Sequence, residues 1–222
     1  IQQYGEKALD KLRGMFGFAV WNEKEQTLML ARDFFGIKPV YYAEIDGHFV
    51  FASEIKSILV FPGYERKVNQ KALEQYLSFQ YAPLEETFFK GIYKLMPGHM
   101  LLYKNGNYEI KTYFKTKLTP GKWNRTTNMD QLRSQLAEIL KDSVKHHMLS
   151  DVEVGAFLSG GVDSGYLASA SGADQAFTVG FDEGDRYSEV NKAAKVAEKA
   201  GLKHHVKIIS KQEFWDALPS YG

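Results

Sequence analysis

The spacing of apolar residues changes near the middle of the chain, and this change limits what each half can fold into. Up to about residue 114, short apolar segments flank tight polar turns. Two of these turns are Asp46-Gly47 and Asn105-Gly106, which favour two-residue β-hairpins because both turn positions accept a positive φ. The first half is therefore predicted to form antiparallel sheet with a few helices.

Beyond a polar segment at 115–128, strands and helices alternate, starting with a helix at 129–148. The predicted strands are 152–158, 176–181 and 204–209, and the predicted helices between them are 163–171 and 187–200. This alternation indicates a parallel, doubly wound sheet. Ser210 and Glu213 predict a capping box for one more helix. We expect two domains, 1–120 and 121–222.

The charge and composition of the chain exclude several kinds of partner and site. The net charge is +1 and the basic residues are dispersed, so no surface for nucleic acid is expected. No apolar run approaches the roughly 20 residues that span a bilayer, so no membrane partner is expected either. The chain has no cysteine, which excludes disulfides, zinc–thiolate sites and a cysteine nucleophile within these residues.

The segment "SGGVDS" at 159–164 follows a predicted buried strand directly. In parallel α/β sheets, ligands bind beyond the carboxyl ends of the strands, where helix N-termini point. Gly160 and Gly161 lack the Cβ atoms that would hold an anion away from the backbone, and the amide groups and helix dipole favour phosphate oxygens. Ser159 and Ser164 add hydroxyl donors. This segment, which we call the phosphate loop, is therefore predicted to bind phosphate.

Asp163 is the unusual member of the phosphate loop, because a bare carboxylate repels phosphate. We expect it to hold Mg²⁺, which would neutralise the phosphate charge. The loop lacks the lysine of the Walker type and the glycine spacing of the dinucleotide fingerprint. The alternative is a helix N-cap with a flexible turn and no ligand. The preceding strand, the following helix and the three alternating units favour phosphate.

Several segments resemble glutamine-hydrolysing asparagine synthetases. "SGGVDS" is similar to the pyrophosphate loop of ATP pyrophosphatases, and "FTVGF" at 177–181 resembles their adenosine-binding strand. The segments that resemble the glutaminase domain and domain junction of these synthetases are "LRGMFGFAVWN", "LARDFFGIKPVYY", "FVFASEIKSIL" and "FFKGIYKLMPGH". Taken together with the two segments of the second half, the resemblance covers nearly the whole chain in the family's order, so it is specific.

The resemblance implies two folds in one chain. Residues 1–120 would be the C-terminal part of a class II glutamine amidotransferase domain, with the terminal-nucleophile αββα fold. Residues 121–222 would begin a parallel α/β ATP-pyrophosphatase domain of the adenine nucleotide alpha hydrolase-like type. The implied reaction is ATP-dependent amidation of aspartate with ammonia from glutamine, through β-aspartyl-AMP, with release of AMP and pyrophosphate. A cytoplasmic location is implied, and a homodimer is compatible with the family.

The resemblance also implies ATP and Mg²⁺ as cofactors and a set of site residues. Those expected to bind ATP are Phe157, Ser159, Gly160, Gly161, Asp163, Ser164 and Val179. Phe157 and Val179 lie where the family lines its adenosine pocket. The serines and glycines of the phosphate loop would contact the pyrophosphate end, and Asp163 would hold Mg²⁺.

Two parts of the family's machinery are expected to lie outside these residues. The glutaminase nucleophile of the family is an amino-terminal cysteine, and this chain has none, so no catalytic residue is assigned here. The family's second ATP-contacting segment and its aspartate site would follow Gly222. We therefore expect the 222 residues to be an internal part of a longer protein.

Three other functions stay open. A related class II amidotransferase with a β-lactam, sugar or peptide carboxylate as acceptor would share the phosphate loop, and the acceptor-binding region would distinguish it. A non-catalytic assembly module would be expected to lose the loop, which is intact here. An enzyme acting on RNA would bring cysteines or a basic surface, and the sequence shows neither.

Two pairs of histidines and one acidic segment raise the question of a metal site. His146-His147 and His204-His205 lack the spacing of metal ligands and are interpreted as solvated or capping residues. The acidic segment 180–189 is interpreted as a solvated loop, with a second metal or a substrate amine as the alternative.

Arg32, Asp33 and Lys38 suggest an active site when they are considered alone. In the family this segment is chiefly structural, and we interpret it as support for the sheet.

Overall fold

The computed structural model describes residues 1–117, 128–182 and 189–221. The chain divides into two compact units, Ile1–Pro120 and Gly121–Gly222. Most of the predicted polar segment at 115–128 and of the acidic segment at 180–189 lies outside the described residues. No helix in the described parts of the chain is both long and apolar enough to cross a membrane.

The first unit contains two antiparallel sheets, as the sequence predicts. Its elements in chain order are a 3₁₀ helix (Gly5–Lys11), β1 (Gly17–Asn22), β2 (Thr27–Arg32), β3 (Tyr41–Ile45), β4 (His48–Ala52), α1 (Ile55–Leu59), α2 (Gln70–Phe79), β5 (Ile92–Lys94), β6 (His99–Lys104) and β7 (Asn107–Thr112). The strand orders are β1-β2-β6-β7 and β4-β3-β5, and every strand pair is antiparallel.

Both predicted hairpin turns are confirmed. Asp46 and Gly47 join β3 to β4 with φ values of 48° and 78°, and Asn105 and Gly106 join β6 to β7 with 51° and 78°. Two successive positive φ values are typical of the type I′ turn, whose twist matches that of the flanking strands.

The two sheets of the first unit pack face to face, with a helix outside each. Leu30 of β2 and Tyr42 of β3 belong to the core between the sheets. Side chains alternate between the faces of a strand, so Met29 lies on the outer face of β2, in a cluster with Leu9 of the 3₁₀ helix. Ile58 of α1 joins a cluster on the outer face of the second sheet. The layer order is therefore helix, sheet, sheet, helix.

The second unit is built on a parallel sheet, which confirms that prediction. Its elements are α3 (Met129–His147), β8 (Ala156–Phe157), α4 (Val162–Ser171), β9 (Gln175–Phe181), α5 (Val190–Ala200), β10 (Lys203–Ile209), α6 (Lys211–Ala217) and a final 3₁₀ helix (Leu218–Tyr221). The strand order is β10-β9-β8, and β9 pairs in parallel with both neighbours. Gly172 and Gly201 end α4 and α5 in the left-handed conformation. The capping box of Ser210 and Glu213 is present.

The sheet of the second unit differs from the doubly wound arrangement that the sequence predicts. Ala168 of α4 and Ala193 of α5 join the same core cluster as Ala176 of β9, so both helices pack on one face. On the other face, Phe177 and Val179 are exposed. The apolar composition of the strands predicts that both faces of the sheet are buried. Among the described residues, helices cover one face of the sheet only.

Strand β8 is also shorter than the predicted strand at 152–158, since only Ala156 and Phe157 form it. Gly155 lies directly before it, and a Cβ atom there would lie 2.5 Å from the Phe177 ring. The Phe177 ring thus lies close to the backbone at the residue just before the strand begins.

A buried carboxylate organises the loop between β2 and β3 of the first unit. Asp33 is 1% exposed and accepts backbone N–H groups from Phe16 (3.3 Å), Phe35 (3.1 Å), Ile37 (3.0 Å) and Lys38 (2.8 Å). Burial favours the neutral acid, but the four donors outweigh it and hold the pKa of Asp33 below its usual value. The carboxylate is therefore the common hydrogen-bond acceptor of these backbone N–H groups.

Arg32 supports the same loop through carbonyl groups. Its guanidinium donates from Nη1 to the Leu95 carbonyl (2.7 Å), from Nη2 to the Gly36 carbonyl (2.6 Å) and from Nε to the Lys38 carbonyl (3.0 Å). Arg32 donates to backbone carbonyls and Asp33 accepts from backbone N–H groups. Both residues therefore have the structural role that the family resemblance predicts.

Replacing Asp33 by Asn is expected to lower the free energy of unfolding by about 3 kcal/mol. An amide has one acceptor oxygen, and its NH₂ group would face backbone N–H groups. In the wild type, the folded pKa lies below the unfolded value of about 4. The stabilising contribution is therefore present above about pH 4 and is lost as the pH falls through the folded pKa.

Denaturant unfolding at several pH values checks this expectation, with the exposed Asp10→Asn as a matched control. Asp33→Asn should lose less stability than the wild type between about pH 5 and about pH 2. Equal acid sensitivity of the wild type and Asp33→Asn would contradict the assignment.

Candidate nucleotide-binding site

The phosphate loop lies at the carboxyl end of β8 and leads into α4. Gly161 is the N-cap residue of α4, and Asp163 lies in its first turn. Among the described residues, no side chain caps this helix end. The first N–H groups of a helix have no acceptor within the helix, and together with its dipole they favour an anion.

The structure brings Ser159 and Ser164 of the phosphate loop together. Their Oγ atoms lie 2.9 Å apart, and the Ser159 N–H donates to Ser164 Oγ at 3.3 Å. Ser159 is exposed, and Ser164 is partly buried. Two hydroxyl groups at an uncapped helix end form a set of donors suited to phosphate oxygens.

The two glycines of the loop have different surroundings. Gly160 has a φ of +76°, and a Cβ atom there would lie 2.6 Å from Lys192 Cβ and 2.9 Å from the Ala193 backbone nitrogen. Gly160 therefore lets the loop lie against the start of α5. A Cβ atom on Gly161 would meet only Ser159 Oγ and Ser164 Oγ, at 3.4 and 3.9 Å.

Asp163 supplies one carboxylate for a cation. The described residues contain no group of three or more His, Cys, Asp or Glu side chains that could hold a metal ion by themselves. Mg²⁺ is usually bound by one or two carboxylates together with substrate phosphates and water. A single Asp beside a phosphate loop fits that pattern. Residues 183–188 of the acidic segment at 180–189 lie outside the described residues.

Phe157 and Val179 lie on the same face of the sheet, opposite the face that α4 and α5 cover. Phe157 is 84% exposed and pairs with Phe177, two residues before Val179 on β9. We call Phe157, Phe177, Val179 and Phe181 the open face. Its exposed apolar surface begins next to the phosphate loop, because Phe157 precedes Ser159 by two residues.

A groove of about 670 Å³ lies between α4 and α5. Gly161, Gly165, Ser169 and Lys199 are among the residues that line it. It is on the helix side of the sheet and includes neither Phe157 nor Val179, so it is separate from the predicted adenosine surface.

The histidines of β10 have partners that sequence reasoning missed. His204 Nε2 lies 2.7 Å from Thr178 Oγ1. His205 Nε2 lies 3.0 Å from Gln175 Oε1, and its ring stacks on Phe177 at 4.9 Å between centroids. These contacts depend on the register of β9 and β10, which the sequence alone does not reveal. Only the polar residue Thr178 in an apolar strand signals them.

Comparison with known proteins gives two family matches along the chain. Residues 1–114 match the family described as "Glutamine amidotransferase domain". This chain belongs to the glutamine amidotransferase family. Residues 135–221 match the family described as "Asparagine synthase", and they contain the phosphate loop. The Asp33 hydrogen bonds lie in the first match, and the predicted ATP-binding residues lie in the second.

Several relatives match nearly the whole length of this chain. "Asparagine synthetase [glutamine-hydrolyzing] 1" of Bacillus subtilis is 39% identical over 98% of this chain and 34% of its own length. "Asparagine synthetase [glutamine-hydrolyzing] 3" of the same organism is 28% identical over 97% of this chain and 38% of its own length. "Amidase chry2" of Gibberella zeae is 30% identical over 92% of this chain and 33% of its own length. The chain thus spans about a third of the length of these relatives.

The different surroundings of the two loop glycines predict different effects of added methyl groups. Gly160→Ala should lower the free energy of unfolding by about 3 kcal/mol, because the Cβ atom overlaps α5 and the φ is positive. Gly161→Ala should cost less than about 1 kcal/mol, because it changes only the N-cap residue. Denaturant unfolding of both variants tests this. Similar losses in both would contradict the packing of Gly160 on α5.

Proposed function

We propose that this protein makes asparagine from aspartate, glutamine and MgATP, through β-aspartyl-AMP, and releases AMP and pyrophosphate. The observation that carries the proposal is the succession of a glutamine amidotransferase match and an asparagine synthase match in one chain. The first would supply ammonia from glutamine, and the second would activate the acceptor carboxylate. The phosphate loop supports the proposal, since its donors lie at the carboxyl end of a parallel strand.

We propose that residues 1–120 belong to a glutaminase domain of the terminal-nucleophile αββα fold, and that residues 121–222 belong to an ATP-pyrophosphatase domain. The helix–sheet–sheet–helix layering supports the first assignment. The parallel sheet with its phosphate loop supports the second. The division of the chain into two compact units agrees with this domain boundary.

The proposed roles of the site residues follow from their positions. The hydroxyl groups of Ser159 and Ser164 and the N–H groups at the start of α4 would bind the β- and γ-phosphates. The open face, with Phe157 and Val179, would receive the adenosine. Asp163 would hold Mg²⁺, which supplies positive charge to neutralise the departing pyrophosphate.

In this arrangement the chain's own donors are directed at the group that gains charge. When the acceptor carboxylate attacks the α-phosphorus, the bond to the β-phosphate breaks and negative charge accumulates on pyrophosphate. The uncapped N–H groups at the start of α4 are already oriented and would stabilise that charge without reorganising. The phosphate loop would thus favour cleavage at the α-phosphate.

We propose a cytoplasmic location, because aspartate, glutamine and ATP meet there. A homodimer stays a prediction, which light scattering of the full-length protein can test.

A second function is favoured by one comparison. One similar protein is named as an amidase and not as an asparagine synthetase, so similar sequences occur in proteins that are not named for asparagine synthesis. A related amidotransferase with a different acceptor would use the phosphate loop in the same way. Product analysis of the full-length protein distinguishes the two functions. Asparagine with AMP supports the first, AMP formation with only a non-aspartate acceptor supports the second, and ADP would contradict the adenylation chemistry of both.

Asp163→Asn in the full-length protein should lower the rate of asparagine synthesis by about 100-fold or more, because the neutral amide binds Mg²⁺ poorly. Glutamine hydrolysis should stay within about twofold of the wild type, since its chemistry is proposed for the other domain. Asp174→Asn is the matched control, because Asp174 is exposed and directly precedes the amino end of β9. Unchanged synthesis in Asp163→Asn would contradict the proposed Mg²⁺ role.

The 222 residues alone should release no glutamate from glutamine, because the family's reaction needs a cysteine thiol and these residues contain none. The measurement is glutamate release by the purified segment against a heat-denatured control, with circular dichroism to verify folding. Release above the control would place a nucleophile within these residues and contradict the assignment of the first half.

A further inference from the structure

Thr178 is a buried polar residue in the middle of the second unit's sheet. It is 4% exposed, and its side chain points to the face of β9 that carries Ala176 and packs against α4 and α5. A hydroxyl group in such a core is costly unless it is hydrogen-bonded. Here it has two partners, one on each neighbouring segment of the sheet.

The first partner is the backbone immediately before the phosphate loop. Thr178 Oγ1 donates to the Leu158 carbonyl at 2.6 Å. Because that carbonyl can only accept, the hydroxyl hydrogen of Thr178 is committed to it. The second partner, His204 Nε2 at 2.7 Å, must therefore donate to Thr178 Oγ1. This assigns a hydrogen to Nε2 of the His204 ring.

The Leu158 carbonyl belongs to the same peptide unit as the Ser159 N–H. The carbonyl accepts from Thr178, while the N–H donates to Ser164 Oγ at 3.3 Å. A peptide unit is planar, so bonds to both of its ends fix its orientation. That orientation directs the Ser159 side chain, whose Oγ lies 2.9 Å from Ser164 Oγ.

We propose that Thr178 and His204 are positioning residues that orient the phosphate loop from the interior of the sheet, a role that rests on the proposed ATP site. Hydrogen bonds run from His204 of β10 through Thr178 of β9 to the Leu158–Ser159 peptide and on to Ser164. Successive bonds polarise and strengthen one another in a buried environment. The strand farthest from β8 thereby helps to set the direction of the phosphate donors.

Thr178→Val and Thr178→Ser in the full-length protein separate positioning from packing. Valine keeps the shape of threonine and removes the hydroxyl, whereas serine keeps the hydroxyl and removes the methyl group. We expect Thr178→Val to raise the KM for ATP by about tenfold or more and Thr178→Ser to stay within about threefold of the wild type. Neither should change the KM for glutamine in glutamine hydrolysis.

The matched control is Thr87→Val in the first unit. Thr87 is also buried, and its Oγ1 donates to the Ile92 carbonyl at 2.8 Å. Thr87→Val therefore removes a comparable buried hydroxyl at a position distant in sequence from the phosphate loop. It should lower the melting temperature as Thr178→Val does and leave the KM for ATP unchanged. An equal KM for ATP in Thr178→Val and the wild type would overturn the proposal. So would an equal rise in Thr178→Val and Thr178→Ser.

Hydrogen–deuterium exchange of the segment 158–164 gives a second readout that does not need activity. Thr178→Val should speed exchange in this segment by about tenfold, and Thr178→Ser should not. His204→Leu, at a partly exposed position, should produce a smaller change in the same direction and serves if Thr178→Val does not fold. Unchanged exchange in folded Thr178→Val, or in His204→Leu if Thr178→Val does not fold, would overturn the positioning role. Wild-type protein that forms no pyrophosphate from ATP would instead overturn the proposed function.

Discussion

Gly160 lies so close to the start of α5 that no side chain fits between them. Its position has a positive φ, and a Cβ atom would overlap both the side chain and the backbone of that helix. The contact joins the phosphate loop to α5, which itself packs on β9 and β10 through Ala193 and Ala197. The geometry of the loop therefore follows from the packing of the whole second unit as well as from its own sequence.

The phosphate loop is held from two sides by different kinds of contact. Gly160 limits how far the backbone can move toward α5, and the Thr178 hydroxyl holds the preceding peptide from the sheet. Between these restraints, the Ser159 and Ser164 hydroxyls lie within hydrogen-bonding distance at an uncapped helix end. The uncapped N–H groups of α4 are oriented before any ligand arrives, and this lowers the cost of organising them on binding.

In the first unit, the side chains of Arg32 and Asp33 form hydrogen bonds with the backbone. Asp33 and Arg32 together satisfy four N–H groups and three carbonyls of the loop between β2 and β3 and of nearby segments. Adjacent residues with a carboxylate and a guanidinium suggest an active site when the sequence is considered alone. Their hydrogen-bond partners in the structure indicate a structural role instead. When backbone groups use these charges, the residues stabilise a loop that has no regular secondary structure of its own.

Local chemistry was enough to predict the parts of the structure that depend on neighbours in sequence. The Asp46-Gly47 and Asn105-Gly106 turns, the glycine helix ends and the Ser210 capping box follow from conformational preferences of adjacent residues. The alternation of strands and helices likewise predicted a parallel sheet and a loop at its carboxyl edge. Only the tertiary structure decided that Gly160 faces α5, that one face of the sheet is open and that His204 reaches Thr178. These features depend on strand register and on the approach of segments distant in sequence, which no local pattern encodes.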